Sequence, residues 1–387
     1  MEIKYSVAKP DLNGNEEKYL LDCLKSGVIS SNGEYIKRFE DLFAAKHNMK
    51  YGVACSSGTM ALLLALRACG IKDGDEVIVP DFTMIASAWA VTYSGATPIF
   101  ADVDDRMNLN TYQDNLMQMC KVEEYISKNT KAIMPVHIYG RQADMDKILE
   151  IAHDYNLFVI EDSCEAHGIP PRGDIACFSL FGNKIITAGE GGICLTNNEK
   201  LAEQLRHLRG MAFAKEHTFF HKKLAYNFRM TNMQAAVALA QTERLEEFLA
   251  KRKQIETWYD EKLEGTQGIK IHPKRDVVWM YDISTTVKDR DPLREYLTKN
   301  GIETRLFFKP MTMQPMYLDL TRAYSQNAFK WSLIGFYLPT YIQLEEKDID
   351  YITDTIKRYF MEKSLRETIL NKPSNPPEEP TSTYVSK

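Results

Sequence analysis

The sequence predicts an α/β protein: a three-layer α/β/α arrangement around a mainly parallel seven-stranded sheet, followed by a smaller α+β C-terminal unit. Three observations carry this expectation. Short apolar, β-rich runs alternate with helical patterns through roughly the first half of the chain, which is the order of βαβ units. Those runs are continuously apolar rather than alternating, as strands covered on both faces are. Beyond Met233 a long helical stretch leads into shorter, more separated strands, so the architecture changes there.

In order, strands are predicted at residues 52–55, 76–80, 97–103, 132–139, 157–161, 175–180 and 192–196, with helices at 59–69, 84–93 and 145–155 between them. The segment joining the sixth and seventh strands holds Gly182, Gly189 and Gly191. It barely accommodates a helical crossover, so these two strands should be antiparallel with an exposed loop. A helix from Met233 to about Leu249 follows, then strands at 269–272, 277–286 and 303–309 and helices at 292–299 and 347–361. The expected division is a large unit over 1–245, a small one over 246–365 and a tail over 366–387. The last 17 residues hold four prolines and almost no core-forming side chains, the composition of a disordered end.

Composition narrows the function class. The 387 residues carry 48 Lys and Arg against 53 Asp and Glu, a net charge of −5, and a pI of about 6.0. That balance argues against nucleic acid as the main partner, which calls for a basic face. The longest apolar run, Met60 to Leu66, is too short to cross a bilayer. The opening residues lack the basic-then-apolar pattern of a signal peptide. Seven scattered cysteines without CxxC pairs read as free thiols in a reducing, cytoplasmic setting, and no metal-ligand cluster is evident.

Three constellations carry chemistry. Ala54-Cys-Ser-Ser-Gly-Thr59 follows a strand and opens an apolar helix. Its small residues expose backbone N–H groups at a helix N-terminus, where an anion is favoured; an ordinary N-cap by Ser57 or Thr59 is the alternative. Phe158-Val-Ile-Glu-Asp162 ends a buried strand in two acids, and ligands of open α/β sheets bind beyond the carboxyl ends of strands. Phe178-Ser-Leu-Phe-Gly-Asn-Lys184 places Ser179 and a lysine at another strand end; the lysine is either a Schiff-base residue or a solvated loop charge. A phosphate cradle, an acid for a pyridine nitrogen and a lysine for an aldehyde are together the fittings of pyridoxal phosphate.

At this point the sequence resembles a known family. Ser57-Gly-Thr59, Pro135-Val-His137-Ile-Tyr-Gly140, Asp162 with Glu165, Asn183-Lys-Ile-Ile-Thr-Ala-Gly-Glu-Gly-Gly192 and Tyr226-Asn-Phe-Arg-Met-Thr-Asn232 are similar to the motifs of the DegT family. These are nucleotide-sugar aminotransferases of the fold type I pyridoxal-phosphate class. Within it the chain is most similar to the branch that aminates C4 of GDP-4-keto-6-deoxymannose. The resemblance implies that Lys184 carries the cofactor and acts as base. It implies further that Asp162 pairs with the ring nitrogen, and that Ser57, Gly58, Thr59 and Ser179 bind the phosphate. Glu165 is implied at the cofactor's 3′-hydroxyl side, and Asn227 reaches the phosphate of a second copy in a homodimer. L-Glutamate, leaving as 2-oxoglutarate, is the implied donor.

Two departures from the family pattern stand out. Met84 occupies a position where many relatives stack an aromatic ring on the cofactor, with Phe82 and Trp89 as neighbouring candidates. The stretch Ile169-Pro-Pro-Arg-Gly173 is shorter than usual in that branch. Six Lys and Arg but one acid lie between Arg206 and Arg229, and from this run Lys215, His221, Lys223 and Arg229 are expected to hold the sugar donor's diphosphate. His137 reads as a hydrogen-bonded core residue. Other readings are an aminotransferase for another carrier or an acidic keto-sugar, a dehydratase, in which the family replaces the lysine by histidine, and a non-catalytic cofactor-binding regulator.

Overall fold

The computed structural model describes residues 2–112, 121–213, 219–221, 223–320 and 325–370. Seven strands build the large sheet: β1 (Tyr51–Cys55), β2 (Glu76–Pro80), β3 (Thr97–Ala101), β4 (Thr130–Ile133), β5 (Phe158–Asp162), β6 (Ile175–Ser179) and β7 (Gly192–Thr196). Their spatial order is β1-β7-β6-β5-β4-β2-β3. β7 runs antiparallel to β1 and β6, and every other pairing is parallel. The antiparallel β6–β7 pair is the one expected from the short glycine-bearing connection.

Around it lie α1 (Glu16–Ser26), α2 (Glu34–Lys46), α3 (Gly58–Ala68), α4 (Ile85–Tyr93), α5 (Met145–Asp154), α6 (Glu199–Arg209) and α7 (Asn232–Glu243). Strand side chains alternate between the two faces. Val77, Val79, Ile160 and Cys177 pack with α3, α4 and α6. Ala176, Phe178 and Leu195 meet α1, α2 and α7 on the opposite face, and Ile78, Ile133 and Val159 meet α5 there. This is the three-layer sandwich that the continuous apolar runs predict.

A second, antiparallel sheet holds β8 (Lys270–Ile271), β9 (Tyr281–Ser284), β10 (Arg305–Leu306) and β11 (Gly335–Leu338) in the order β10-β11-β9-β8. It packs with α8 (Leu245–Leu263), α9 (Val287–Lys299) and α11 (Glu346–Leu370), while α10 (Gln326–Ile334) leads into β11. β11 has no counterpart in the sequence reading. Several boundaries also differ from expectation. The helix expected from Met233 to Leu249 breaks at Arg244, whose guanidinium is drawn to Asp11 at 2.5 Å. The strand expected through Tyr139 ends at Ile133. The chain then turns through Tyr139 (φ 51°) and Gly140 (φ 81°), where a methyl on Gly140 would sit 1.9 Å from the Val277 carbonyl oxygen. α11 continues to Leu370, and the remainder of the expected tail, 371–387, lies outside the described residues.

Candidate active site

The carboxyl ends of β5 and β6 and the start of α3 open onto one cleft of about 350 Å³, within the size range of small-molecule sites. Ser57, Gly58, Thr59, Met84, Asp162, Glu165, Ser179 and Lys184 all line it. Residues spread over more than a hundred positions meet because parallel strands deliver their ends to one edge of the sheet.

Ser57 is the N-cap of α3: its Oγ accepts the Met60 N–H at 3.2 Å. The capping reading therefore holds, and the same turn lines the cleft. Gly58 is required by close approach, since a methyl there would lie 2.7 Å from Ser179 Cβ and 3.1 Å from Cys164 Sγ. The result is a backbone cradle at a helix N-terminus, facing the Ser179 hydroxyl, with the size and polarity a phosphate needs.

Asp162 is 4% exposed. Its Oδ2 accepts the Ser87 hydroxyl at 2.7 Å and its Oδ1 the Cys164 N–H at 3.1 Å. Ser87 is in turn 3.0 Å from the Thr83 hydroxyl. The carboxylate is thus fixed from behind while its face remains on the cleft.

Glu165 is buried, and its Oε2 accepts the Tyr139 N–H at 2.9 Å. The left-handed turn at Tyr139 aims that N–H, a use of backbone strain at a site. Burial pushes the Glu165 carboxyl up to about 7, against the pull of the Lys184 ammonium and the Tyr139 N–H. Lys184 Nζ stands 3.8 Å from Glu165 Oε1 and 4.2 Å from the Trp279 ring centroid. Trp279 is itself fixed by donating its indole N–H to the Asn183 carbonyl at 2.9 Å. The reading of Lys184 as a solvated loop charge is excluded, because its side chain is only 10% exposed.

The cofactor's requirements fit what is present: an N-terminal cradle, a held carboxylate and a lysine amine line one pocket. Asn183 Oδ1, on the same pocket, is buried without a hydrogen-bond partner, an acceptor left for a ligand to satisfy.

Other expected residues lie elsewhere. Phe82 is fully buried against Tyr139, Phe307 and Phe308, and Trp89 packs on Tyr93, so neither lines the cleft. Met84 does, with its Sδ accepting the Ala86 N–H at 3.1 Å. His137 is a core residue: Nδ1 accepts the Ala143 N–H and Nε2 donates to Glu161 at 2.7 Å.

The basic segment is less uniform than its composition suggests. Arg209 is bound to Glu40 at 2.6 Å and to the Ala54 carbonyl at 2.7 Å, so it is structural. His221 donates to the Met211 carbonyl at 2.7 Å, and Arg229 donates to Asn227 Oδ1 at 2.9 Å. Asn227, His221, Lys223 and Arg229 do not line this chain's cleft, and Lys215 lies outside the described residues.

Sequence reasoning missed Ser87, Phe181, Trp279, Arg305, Phe308 and Tyr337. The last four come from the second unit, where no local motif announces them and only its packing against the sheet edge brings them in.

Residues 10–357 match the DegT/DnrJ/EryC1/StrS aminotransferase family. The chain is 45% identical over 368 residues to the GDP-perosamine synthase of Caulobacter vibrioides, covering 90% of this chain and 96% of that one. It is 40% identical over 370 residues to the GDP-perosamine synthase of Escherichia coli O157:H7, covering 92% and 99%. The crystal structure of S. venezuelae DesV in complex with a ketimine intermediate matches with a TM-score of 0.81 at 32% identity, covering 89% and 94%.

Proposed function

This chain belongs to the DegT/DnrJ/EryC1/StrS aminotransferase family, and on that premise we propose that it aminates C4 of GDP-4-keto-6-deoxymannose, giving GDP-perosamine, with L-glutamate as donor. It is a pyridoxal-phosphate-dependent sugar aminotransferase, converting a keto-sugar to an amino sugar. The finer substrate reading is supported by the two GDP-perosamine synthases, which match this chain almost from end to end. The single observation that most supports the site is the convergence of Lys184, Asp162, Glu165 and the Ser57–Thr59 turn on one cleft.

When bound, pyridoxal phosphate supplies an aldehyde that takes up an amino group and a ring that withdraws electrons from the adjoining carbon. Lys184 would hold the aldehyde and, with its amine free, would carry a proton at Nζ. Asp162 favours a protonated ring nitrogen, and its hydrogen bonds from Ser87 and Cys164 hold the carboxylate in place. Ser57, Gly58, Thr59 and Ser179 bind the phosphate. Glu165 would take the ring hydroxyl side with one oxygen while the Tyr139 N–H holds the other, and Met84, on the cleft wall, would offer its thioether to the ring. Residues 1–245 form the cofactor-binding unit and 246–365 the smaller unit that covers it.

The active unit is a homodimer, and the protein is cytoplasmic. Asn227 lies outside its own cleft, on an exposed segment that also carries Phe219, Phe220 and Leu224; this supports a role in a second copy's site. Lys215, His221, Lys223 and Arg229 from the same segment hold the diphosphate. Among the described residues the six cysteines are unpaired, and no helix is long and apolar enough to cross a membrane.

The test is a panel of nucleotide-linked keto-sugars offered with L-glutamate. Turnover should be highest with the GDP-linked 4-keto sugar. Lys184→Ala should abolish both turnover and the absorbance of the lysine-bound cofactor, and retained turnover would refute the mechanism.

A further inference from the structure

Next to the Ser179 end of β6 lies a pair of buried histidines that the chemistry above leaves unused, His47 and His167. β6 pairs with β5 only as far as Cys177 and Asp162, and the Ser163 N–H then donates to the Cys177 carbonyl at 2.9 Å. Carbonyls on one edge of a strand recur every second residue, so the Ser179 carbonyl is the next acceptor on that edge. The chain has left β5 by then, and the donor is a side chain: His167 Nε2–H reaches the Ser179 carbonyl at 2.9 Å. Nδ1 of the same ring is buried without a partner. Among the described residues, the bond to Ser179 is therefore the ring's single hydrogen bond. Its surroundings hold it there. Phe43 meets the ring edge-on with centroids 6.1 Å apart, and Phe178 packs against it at 5.5 Å. His47, stacked on Phe43 at 4.3 Å, donates Nδ1–H to the Phe43 carbonyl and accepts the Gly168 N–H at Nε2 at 3.0 Å. Gly168 has φ 99°, and a methyl there would lie 2.6 Å from Leu249 Cδ1, so this turn calls for glycine. Burial pushes His47 down to about 4 and His167 well below its ordinary value, which keeps both rings neutral.

We propose that His167 is a positioning residue for the cofactor's phosphate, acting through Ser179. This rests on the reading of Ser179 as a phosphate ligand given above. Ser179 is the last residue of β6, and a methyl on Gly58 would meet its Oγ at 3.1 Å, so the hydroxyl stands directly across from the α3 turn. Its Oγ accepts the Phe181 N–H at 3.3 Å, which leaves the O–H free to donate to a phosphate oxygen. The carbonyl and the Cβ of one residue are linked through a single rotatable backbone bond. Fixing the Ser179 carbonyl therefore limits where its hydroxyl can point, at a strand end that β5 no longer supports. Without the imidazole N–H the carbonyl is a buried acceptor left unsatisfied, and the strand end is free to turn away from the cradle.

The test titrates the full chain, stripped of cofactor, with pyridoxal phosphate and separately with pyridoxal, which has the same ring and aldehyde but no phosphate. His167→Phe keeps a ring between Phe43 and Phe178 and removes the donor. His167→Gln sets an amide N–H near the place of Nε2, whereas His167→Asn sets it nearer Nδ1, short of the Ser179 carbonyl. His167→Phe and His167→Asn should bind pyridoxal phosphate about 5- to 50-fold more weakly. His167→Gln should stay within about threefold of wild type, and pyridoxal affinity within about twofold in all three. In a Ser179→Ala background His167→Phe should cost nothing further, because its effect passes through the missing hydroxyl. Equal losses for pyridoxal and pyridoxal phosphate would show a ring that merely supports the fold. A loss that adds in full to that of Ser179→Ala would show that His167 acts elsewhere. Either result overturns the proposal, as does equal affinity in His167→Gln and His167→Asn, a contrast that decides the matter even where His167→Phe does not fold. Unchanged pyridoxal phosphate affinity in Ser179→Ala would instead remove Ser179 as a phosphate ligand, and the role of His167 with it.

Discussion

Replacing Glu165 by Gln should make the protein more stable above neutral pH and change little in acid. Glu165 is buried, and its carboxyl is pushed from 4.5 up to about 7, chiefly by burial. Between those two values the unfolded chain has released this proton while the folded chain still holds it. The unfolded state therefore binds fewer protons, and stability falls as pH rises through this window. A displacement of about 2.5 pH units corresponds to roughly 3 kcal/mol, lost progressively between about pH 4.5 and pH 7. The glutamine amide would be neutral throughout, and its carbonyl could still accept the Tyr139 N–H that Glu165 Oε2 accepts at 2.9 Å. The advantage of Glu165→Gln should accordingly grow from near zero at about pH 4.5 to roughly 3 kcal/mol at about pH 8. The assay is urea unfolding of cofactor-free protein at four pH values and one fixed protomer concentration. A difference that does not vary with pH, or one that shrinks toward alkaline pH, would refute the reasoning. The carboxylate would then be stabilised in place, and its proximity to Lys184 at 3.8 Å would be a settled ion pair.

Two further substitutions probe the cradle and the seam between the sheets. Gly58→Ala would put a methyl 2.7 Å from Ser179 Cβ, so the turn or β6 has to shift. Overpacking of this kind costs about 1–3 kcal/mol, and cofactor affinity by fluorescence titration should weaken roughly 5- to 150-fold; unchanged affinity would remove the cradle. Asp282→Ala would strip a fully buried carboxylate from Arg141, Arg275 and His272, which bond it together. Arg275 keeps Glu256 at 2.8 Å and His272 keeps the Ser284 hydroxyl at 2.8 Å, but the buried Arg141 guanidinium loses its carboxylate, which should cost about 3–5 kcal/mol in chemical denaturation; a loss below about 1 kcal/mol would show that the pair is dispensable.

Wherever one residue run carries its own physical demand, the sequence was enough. The continuous apolar strands pointed to a sheet covered on both faces, and the short glycine-bearing link between β6 and β7 left barely enough chain for a crossover, which favours antiparallel neighbours. Ser57-Gly-Thr59, Asp162 and Lys184 were legible because each sits at the end of such a strand or the start of a helix, and a mainly parallel sheet sends those ends to one edge. His137 was legible as a core residue for a similar reason, since it lies within an apolar run.

Tertiary structure decided what depends on distant partners. Arg209 looked like part of a free basic run, but Glu40 lies within 2.6 Å and absorbs its charge. The turn at Tyr139 interrupts an apolar stretch that reads as strand, because Glu165 and the Val277 backbone reward the left-handed conformation there. Trp279 and Arg305 belong to short segments of the second unit whose local pattern says nothing about Lys184. They reach the cleft because the small sheet packs against the open edge of the large one. Sequence therefore determined the chemistry available, through residues that local backbone geometry places. The structure determined which charges remain available to a ligand, because pairing and burial are set by neighbours far away along the chain.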